Sequence, residues 1–164
     1  MPAAMTALAT ITLGSAASSV TFGSIPATYR DLRLVSFVPS LTGSPTAAGA
    51  FARFNGDTGA NYSTVYAYGN GSSTGSGTEA TSTLFWGAFP AAGGVDHWDI
   101  LDYAQSNKHK TAIGRADGNG ASTWMYVGRW ASTSAITSIT LTSPDTGSDQ
   151  FGIGSTFSLY GILA

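Results

Sequence analysis

The sequence predicts an all-β fold, an antiparallel, jelly-roll-like β-sandwich of about ten strands in a single domain over residues 1–164. Three observations predict it. Apolar and polar residues alternate with a period of two in run after run, as strands do when one face packs on a core. Successive runs are spaced by about 10 to 15 residues with turn chemistry between them, which suits hairpins better than helical crossovers. No window of about twelve residues carries the i, i+3, i+4, i+7 apolar stripe of an amphipathic helix.

In chain order, Leu8, Thr10 and Thr12 interleave with Ala9, Ile11 and Leu13. The opening MPAAMTALATITLGSAASS lacks the basic start and the apolar block of a secretory signal, so it reads as the first strand. Leu32, Leu34 and Ser36 interleave with Arg33, Val35 and Phe37. Further runs cover 50–55, 62–68, 81–86, 95–103, 110–115, 123–130, 135–142 and 156–162, all rich in Val, Ile, Thr and aromatic residues. Turn signals separate them: Gly14-Ser15, Asn55-Gly56-Asp57, Gly69-Asn70-Gly71, Gly93-Gly94, Asp117-Gly118-Asn119-Gly120 and Ser143-Pro144-Asp145. One short helical turn fits 25–29. The segment 69–78, GNGSSTGSGT, reads as a long flexible surface loop. Neither a fixed-period repeat nor a linker divides the chain.

Charge narrows the functions. There are 7 basic and 9 acidic residues, and only 10% of the chain is charged, against about 25% in ordinary soluble domains. Without a basic patch, binding to nucleic acid through its phosphates is not expected. No stretch approaches the roughly 20 apolar residues of a spanning helix, so no membrane partner is expected. The absence of cysteine excludes disulfides, thiolate metal sites and thiol nucleophiles. More than half of the chain is Gly, Ala, Ser or Thr. A surface of such residues around scattered aromatics tolerates dehydrated contact, because little unpaired charge is buried. It therefore points to coverage by other protein chains, copies of itself first. A neutral, hydroxyl-rich surface left in solvent is the other reading.

The most polar cluster is Val95-Asp-His-Trp-Asp-Ile-Leu-Asp-Tyr103. In a regular strand Asp96, Trp98, Ile100 and Asp102 share one face, and His97, Asp99, Leu101 and Tyr103 the other. His97 and Asp99 supply two metal ligands where a site needs three or four. Asp96 and Asp102 stand about 20 Å apart on an extended strand, too far for a glycosidase carboxylate pair. The segment from Asn55 through Asp57 to Asn61 has oxygen ligands but not the spacing of a calcium loop, and it is good hairpin chemistry. No G-x-S-x-G elbow, P-loop or dinucleotide fingerprint occurs. Hence no catalytic residue, metal or cofactor is expected. The aromatic run around Trp124, Tyr126 and Trp130, with Arg129 beside it, allows core packing, a subunit interface or stacking on sugar rings. A secreted carbohydrate-binding or carbohydrate-active sandwich is thus a third class of function.

Residues 8–35 (LATITLGSAASSVTFGSIPATYRDLRLV), 53–63 (RFNGDTGANYS) and 157–162 (FSLYGI), in that order, resemble common blocks of small β-rich structural proteins of tailed bacteriophage virions. The resemblance covers about a quarter of the chain and leaves 64–150 unmatched. It implies a protein of the virion without enzyme activity: a capsid decoration (cement) protein, homo-oligomeric and trimeric, that bridges the major capsid protein or other virion subunits and stabilises the shell. The alternative it implies is a tail-fibre module recognising host-surface glycan. Expected contact residues are Trp98, Trp124, Trp130, Arg129, Tyr126, Lys108 and Lys110. The N-terminal strand and the loops at 69–78 and 105–110 are the expected contact elements.

Overall fold

A computed structural model of the chain describes residues 4–43, 48–118, 120, 122–143 and 149–163. Its strands are β1 (Met5–Thr12), β2 (Ser19–Phe22), β3 (Asp31–Val38), β4 (Ala48–Phe54), β5 (Tyr62–Gly69), β6 (Thr74–Thr81), β7 (Leu84–Phe89), β8 (Gly94–Leu101), β9 (Lys110–Asp117), β10 (Thr123–Trp130), β11 (Ile139–Thr142) and β12 (Thr156–Ile162). They form an eight-stranded sheet ordered β1-β12-β3-β8-β9-β10-β5-β6 and a four-stranded sheet ordered β2-β11-β4-β7. Every pairing is antiparallel. Among the described residues there is no helix. The β-sandwich is as the sequence predicts, with twelve strands among the described residues in place of about ten.

The two additional strands and the missing helical turn have physical reasons. β2 is only four residues long, with Val20 and Phe22 inward, too short for its period to register. The segment 69–78 is a hairpin and not a loop. Asn70 accepts hydrogen bonds from the Ser72 and Ser73 amides at 3.2 and 2.7 Å, and β6 then pairs with β5 through Thr74 opposite Gly69 to Thr81 opposite Tyr62. Gly75 and Gly77 lie opposite Tyr68 and Tyr66, and an added Cβ would sit 2.6 Å from the Tyr68 ring and 2.5 Å from the Tyr66 hydroxyl. The glycines that suggested flexibility are there because tyrosine rings lie across them. At 25–29 the chain is not helical. The Ile25 amide instead donates to the Thr137 carbonyl at 3.0 Å, and the Pro26 carbonyl accepts from the Tyr103 hydroxyl.

The core lies between the sheets, with Leu32, Leu34, Trp86, Trp98, Ile100 and Phe157 fully buried. β7 is buried along its whole length, over β10 and β9. Gly114 of β9 is in register with Trp98 on one side and Tyr126 on the other, and both rings close over it. The alternation of β8 breaks at its end. Asp102 adopts a left-handed φ of 49°, which turns Tyr103 into the core, away from the face of Leu101.

Candidate functional site: the outer face of the large sheet

The inner face of the large sheet packs on the small one, and the outer face is open to solvent. Two adjacent rows cross its middle. One runs Val65, Val127, Ile113, Asp99, Arg33, and the other Ala67, Met125, Arg115, His97, Val35. These residues belong to five neighbouring strands, β5-β10-β9-β8-β3, and alternation aims them all outward. Val65 and Met125 are 59% and 60% exposed, and Val127 and Ile113, next to Val65 in the same row, are 49% and 45% exposed. Four large apolar side chains clustered on an open sheet are unusual for a soluble surface. They line a shallow depression of about 540 Å³ that His97, Asp99 and Arg115 border.

The polar border is organised. Arg33 Nε and Nη2 donate to the two carboxylate oxygens of Asp99 at 2.7 and 2.9 Å. This fork holds the Asp99 carboxyl below its ordinary range and raises the Arg33 guanidinium. His97 Nε2 stands 3.7 Å from Asp99 Oδ2. The pair is partly exposed, so it contributes at most about 1 kcal/mol to stability. Its stronger effect is to fix the charge pattern of this face. His97 and Asp99 do share a face, as the sequence indicates. Among the described residues no third histidine, cysteine or carboxylate joins them to make a metal site.

The other carboxylates of the cluster serve structure. Asp96 is fully buried on the opposite face and accepts the hydroxyl hydrogen of Tyr126 through Oδ1. Its Oδ2 and the indole Nε1 of Trp86 are buried without a hydrogen-bond partner among the described residues. Burial pushes the Asp96 carboxyl well above its ordinary range, against the hydrogen bond from Tyr126, and burial likewise raises the Tyr126 phenol. Burial therefore favours the neutral carboxyl in the folded chain. The unfolded chain ionises near pH 4 and binds fewer protons above it, so this group's contribution to stability falls as pH rises through the interval up to the raised folded value. Asp96→Asn keeps an acceptor for Tyr126 and is expected to raise the melting temperature at pH 7 relative to pH 4, compared with wild type. A melting profile with the same pH dependence in both proteins would show that Asp96 is ionised in the fold.

The contact residues expected from sequence fall into two groups. Trp98, Tyr126 and Trp130 are buried in the core, and Lys110 is buried with its ammonium donating to the carbonyls of Gln105, Lys108 and Thr133. Burial lowers the Lys110 ammonium from its ordinary range. Enclosed by their own chain, these four are withdrawn from a surface role, because core packing wins wherever an aromatic faces the second sheet. Trp124 is half-buried and stacks on Tyr68 with ring centres 4.5 Å apart. Arg129 and Lys108 are exposed, and Lys108 pairs with Asp102 at 2.9 Å. The Asn55–Asp57 segment is a tight turn with φ of 54° at Asn55 and 66° at Gly56. Asp57 accepts from the Gly59 amide, the Asn61 amide group and the Trp130 indole. The Trp130 bond leads the causes that hold its carboxyl below the ordinary range. Oxygens committed to N–H donors make a structural turn, not a cation site.

Val65, Ile113, Met125 and Val127 were not singled out by sequence. The signal was present. Trp124-Met-Tyr-Val127 is apolar at both parities, the mark of a strand covered on both faces.

No protein-family model matches the chain, and no curated protein matches it. Among solved structures, the alginate lyase Aly36B is 14% identical with a TM-score of 0.37, over 93% of this chain and 77% of that one. Scytalido-glutamic peptidase, bound to a peptide-based transition-state analogue, is 14% identical with a TM-score of 0.35, over 88% of this chain and 74% of that one. The family GH16 endo-β-1,3(4)-glucanase SCLam is 5% identical with a TM-score of 0.25, over 82% of this chain and 58% of that one. Likenesses at this level carry no argument about activity.

Proposed function

We propose that this chain is a structural protein of a bacteriophage particle, a capsid decoration protein that oligomerises and stabilises the shell through its surfaces. The observation that carries the reading is the open face on which Val65, Ile113, Met125 and Val127 stand exposed side by side. Covering the roughly half of each such side chain that is still exposed is worth about 1–1.5 kcal/mol. A contact of this size, modest on one subunit, becomes strong when repeated over a lattice. The resemblance to virion proteins is the second support: its first block covers most of β1, all of β2 and the start of β3, and its last block covers β12 from Phe157 onward. The tail-fibre alternative draws on aromatic rings and hydroxyl-rich loops; Trp86, Trp98 and Trp130 are buried, which leaves it rings such as the half-buried Trp124 and the exposed Phe37.

The test is direct. Purified protein is expected to co-sediment with undecorated capsids of the phage that encodes it and to raise their melting temperature. Val127→Asp is expected to weaken that binding at least about tenfold, because it places a carboxylate on the open face through which subunits join, and the repeated contact that makes binding to a shell strong is lost. Antibody label confined to the tail tip, with binding on a glycan array, would replace this reading with the tail-fibre one. Absence of the protein from particles would end both.

A further inference from the structure

We infer that the outer face of the large sheet is self-complementary and that two copies of this chain dock through it, face to face about a two-fold axis. The inference names the partner for the same open face on which the assembly reading rests.

Strand register sets the arrangement. Beyond the two central rows lie two outer ones. Thr123 and Asp117 mark one end of the face, and Arg129 and Thr111 the other. The axis lies in the face, perpendicular to the strands, between the Met125 row and the Val127 row. Rotation about it keeps every strand over its own copy and exchanges the two ends. Met125 then meets Val127 and Val65 meets Ala67 of the second copy, while Arg115 comes over Ile113, one strand spacing of about 4.8 Å from Asp99 of that copy. His97 meets Asp99 of the second copy. Arg129 arrives over Thr123, one strand spacing of about 4.8 Å from Asp117. Each contact occurs twice, as an isologous interface requires.

The charges have the form this geometry needs. Arg129 is exposed and has no ion pair among the described residues. Asp117 is exposed and uses one oxygen on the Gly120 amide at 3.0 Å. The two sit on adjacent strands at opposite ends of the face, about 20 Å apart along the strand direction. That is too far to pair within one molecule, and the two-fold rotation brings them together. Had both ends carried the same sign, the same rotation would have opposed like charges.

The experiment is native mass and sedimentation on the full chain and three variants: Arg129→Glu, Asp117→Arg, and the two combined. A dimer is expected for wild type. Either single variant is expected to raise the dimer dissociation constant about tenfold or more, and the double variant to restore it to within about threefold of wild type. Unchanged melting temperatures exclude misfolding as the cause, since both residues are exposed. A monomer at every concentration overturns the inference. A trimer, which the virion resemblance implies, overturns it as well, because a two-fold contact generates even numbers. So does a dimer indifferent to both single changes, or one that the double variant fails to rescue. Capsid binding is read separately: a dimer that ignores capsids rejects the virion reading alone, and a monomer that binds them rejects the two-fold alone.

Discussion

Gly114→Ala is expected to lower the stability of the fold by about 3 kcal/mol and the melting temperature by about 10 °C. The added Cβ would stand 2.1 Å from Tyr126 Cε2 and 2.3 Å from Trp98 Cδ1. Neither ring has room to retreat. Trp98 donates its indole hydrogen to the Trp86 carbonyl at 3.0 Å and packs edge-on against Trp86. Tyr126 is tied to Asp96. Relief of the overlap therefore disturbs both sheets at once. Gly14→Ala is the control: its Cβ would meet nothing within 4 Å, and the change is expected to stay within about 0.5 kcal/mol. Urea midpoints of the two variants provide the measurement. Equal midpoints would mean that close ring packing is not what requires a glycine in β9.

Trp98→Ala is expected to cost about 3–5 kcal/mol, the range for emptying a fully buried tryptophan site. Its ring touches Trp86 and Tyr126 at centre distances of 6.4 and 5.7 Å, and its removal leaves the Trp86 carbonyl without that partner. Trp124→Ala is expected to cost less, because that ring is only half-buried. The comparison separates two readings of the aromatic run. A sugar-binding row of tryptophans would lose affinity on truncation while keeping its urea midpoint. A core position loses the midpoint. An unchanged midpoint in Trp98→Ala would overturn the core assignment.

Much of the fold was legible because period-two burial is written into each strand. β3, β9, β10 and β12 lie where alternation puts them, and the Asn55-Gly56 turn lies where its residues allow positive φ. Legibility failed where a residue's role depends on what crosses over it. Gly75 and Gly77 look like linker glycines until Tyr66 and Tyr68 are seen above them. Lys110 looks like a surface cation until three carbonyls from two loops enclose it. Asp102 follows the strand pattern in sequence, and its left-handed backbone ends that pattern.

The candidate site divides the same way. Alternation alone places His97 with Asp99, and Met125 with Val127 and Arg129, on one face of their own strands. It does not say which face meets the second sheet. Nor does it say that β9 lies between β8 and β10 with Ile113 level with both Asp99 and Val127. Local periodicity reflects steric rules within a strand and is carried by the sequence itself. Strand order and register are set by packing between residues far apart in the chain, and only the assembled sheet shows them. By itself the sequence determined an all-β chain with few charges and no thiol chemistry. The tertiary structure decided which of its apolar residues were left uncovered, because four strands cannot cover both faces of eight.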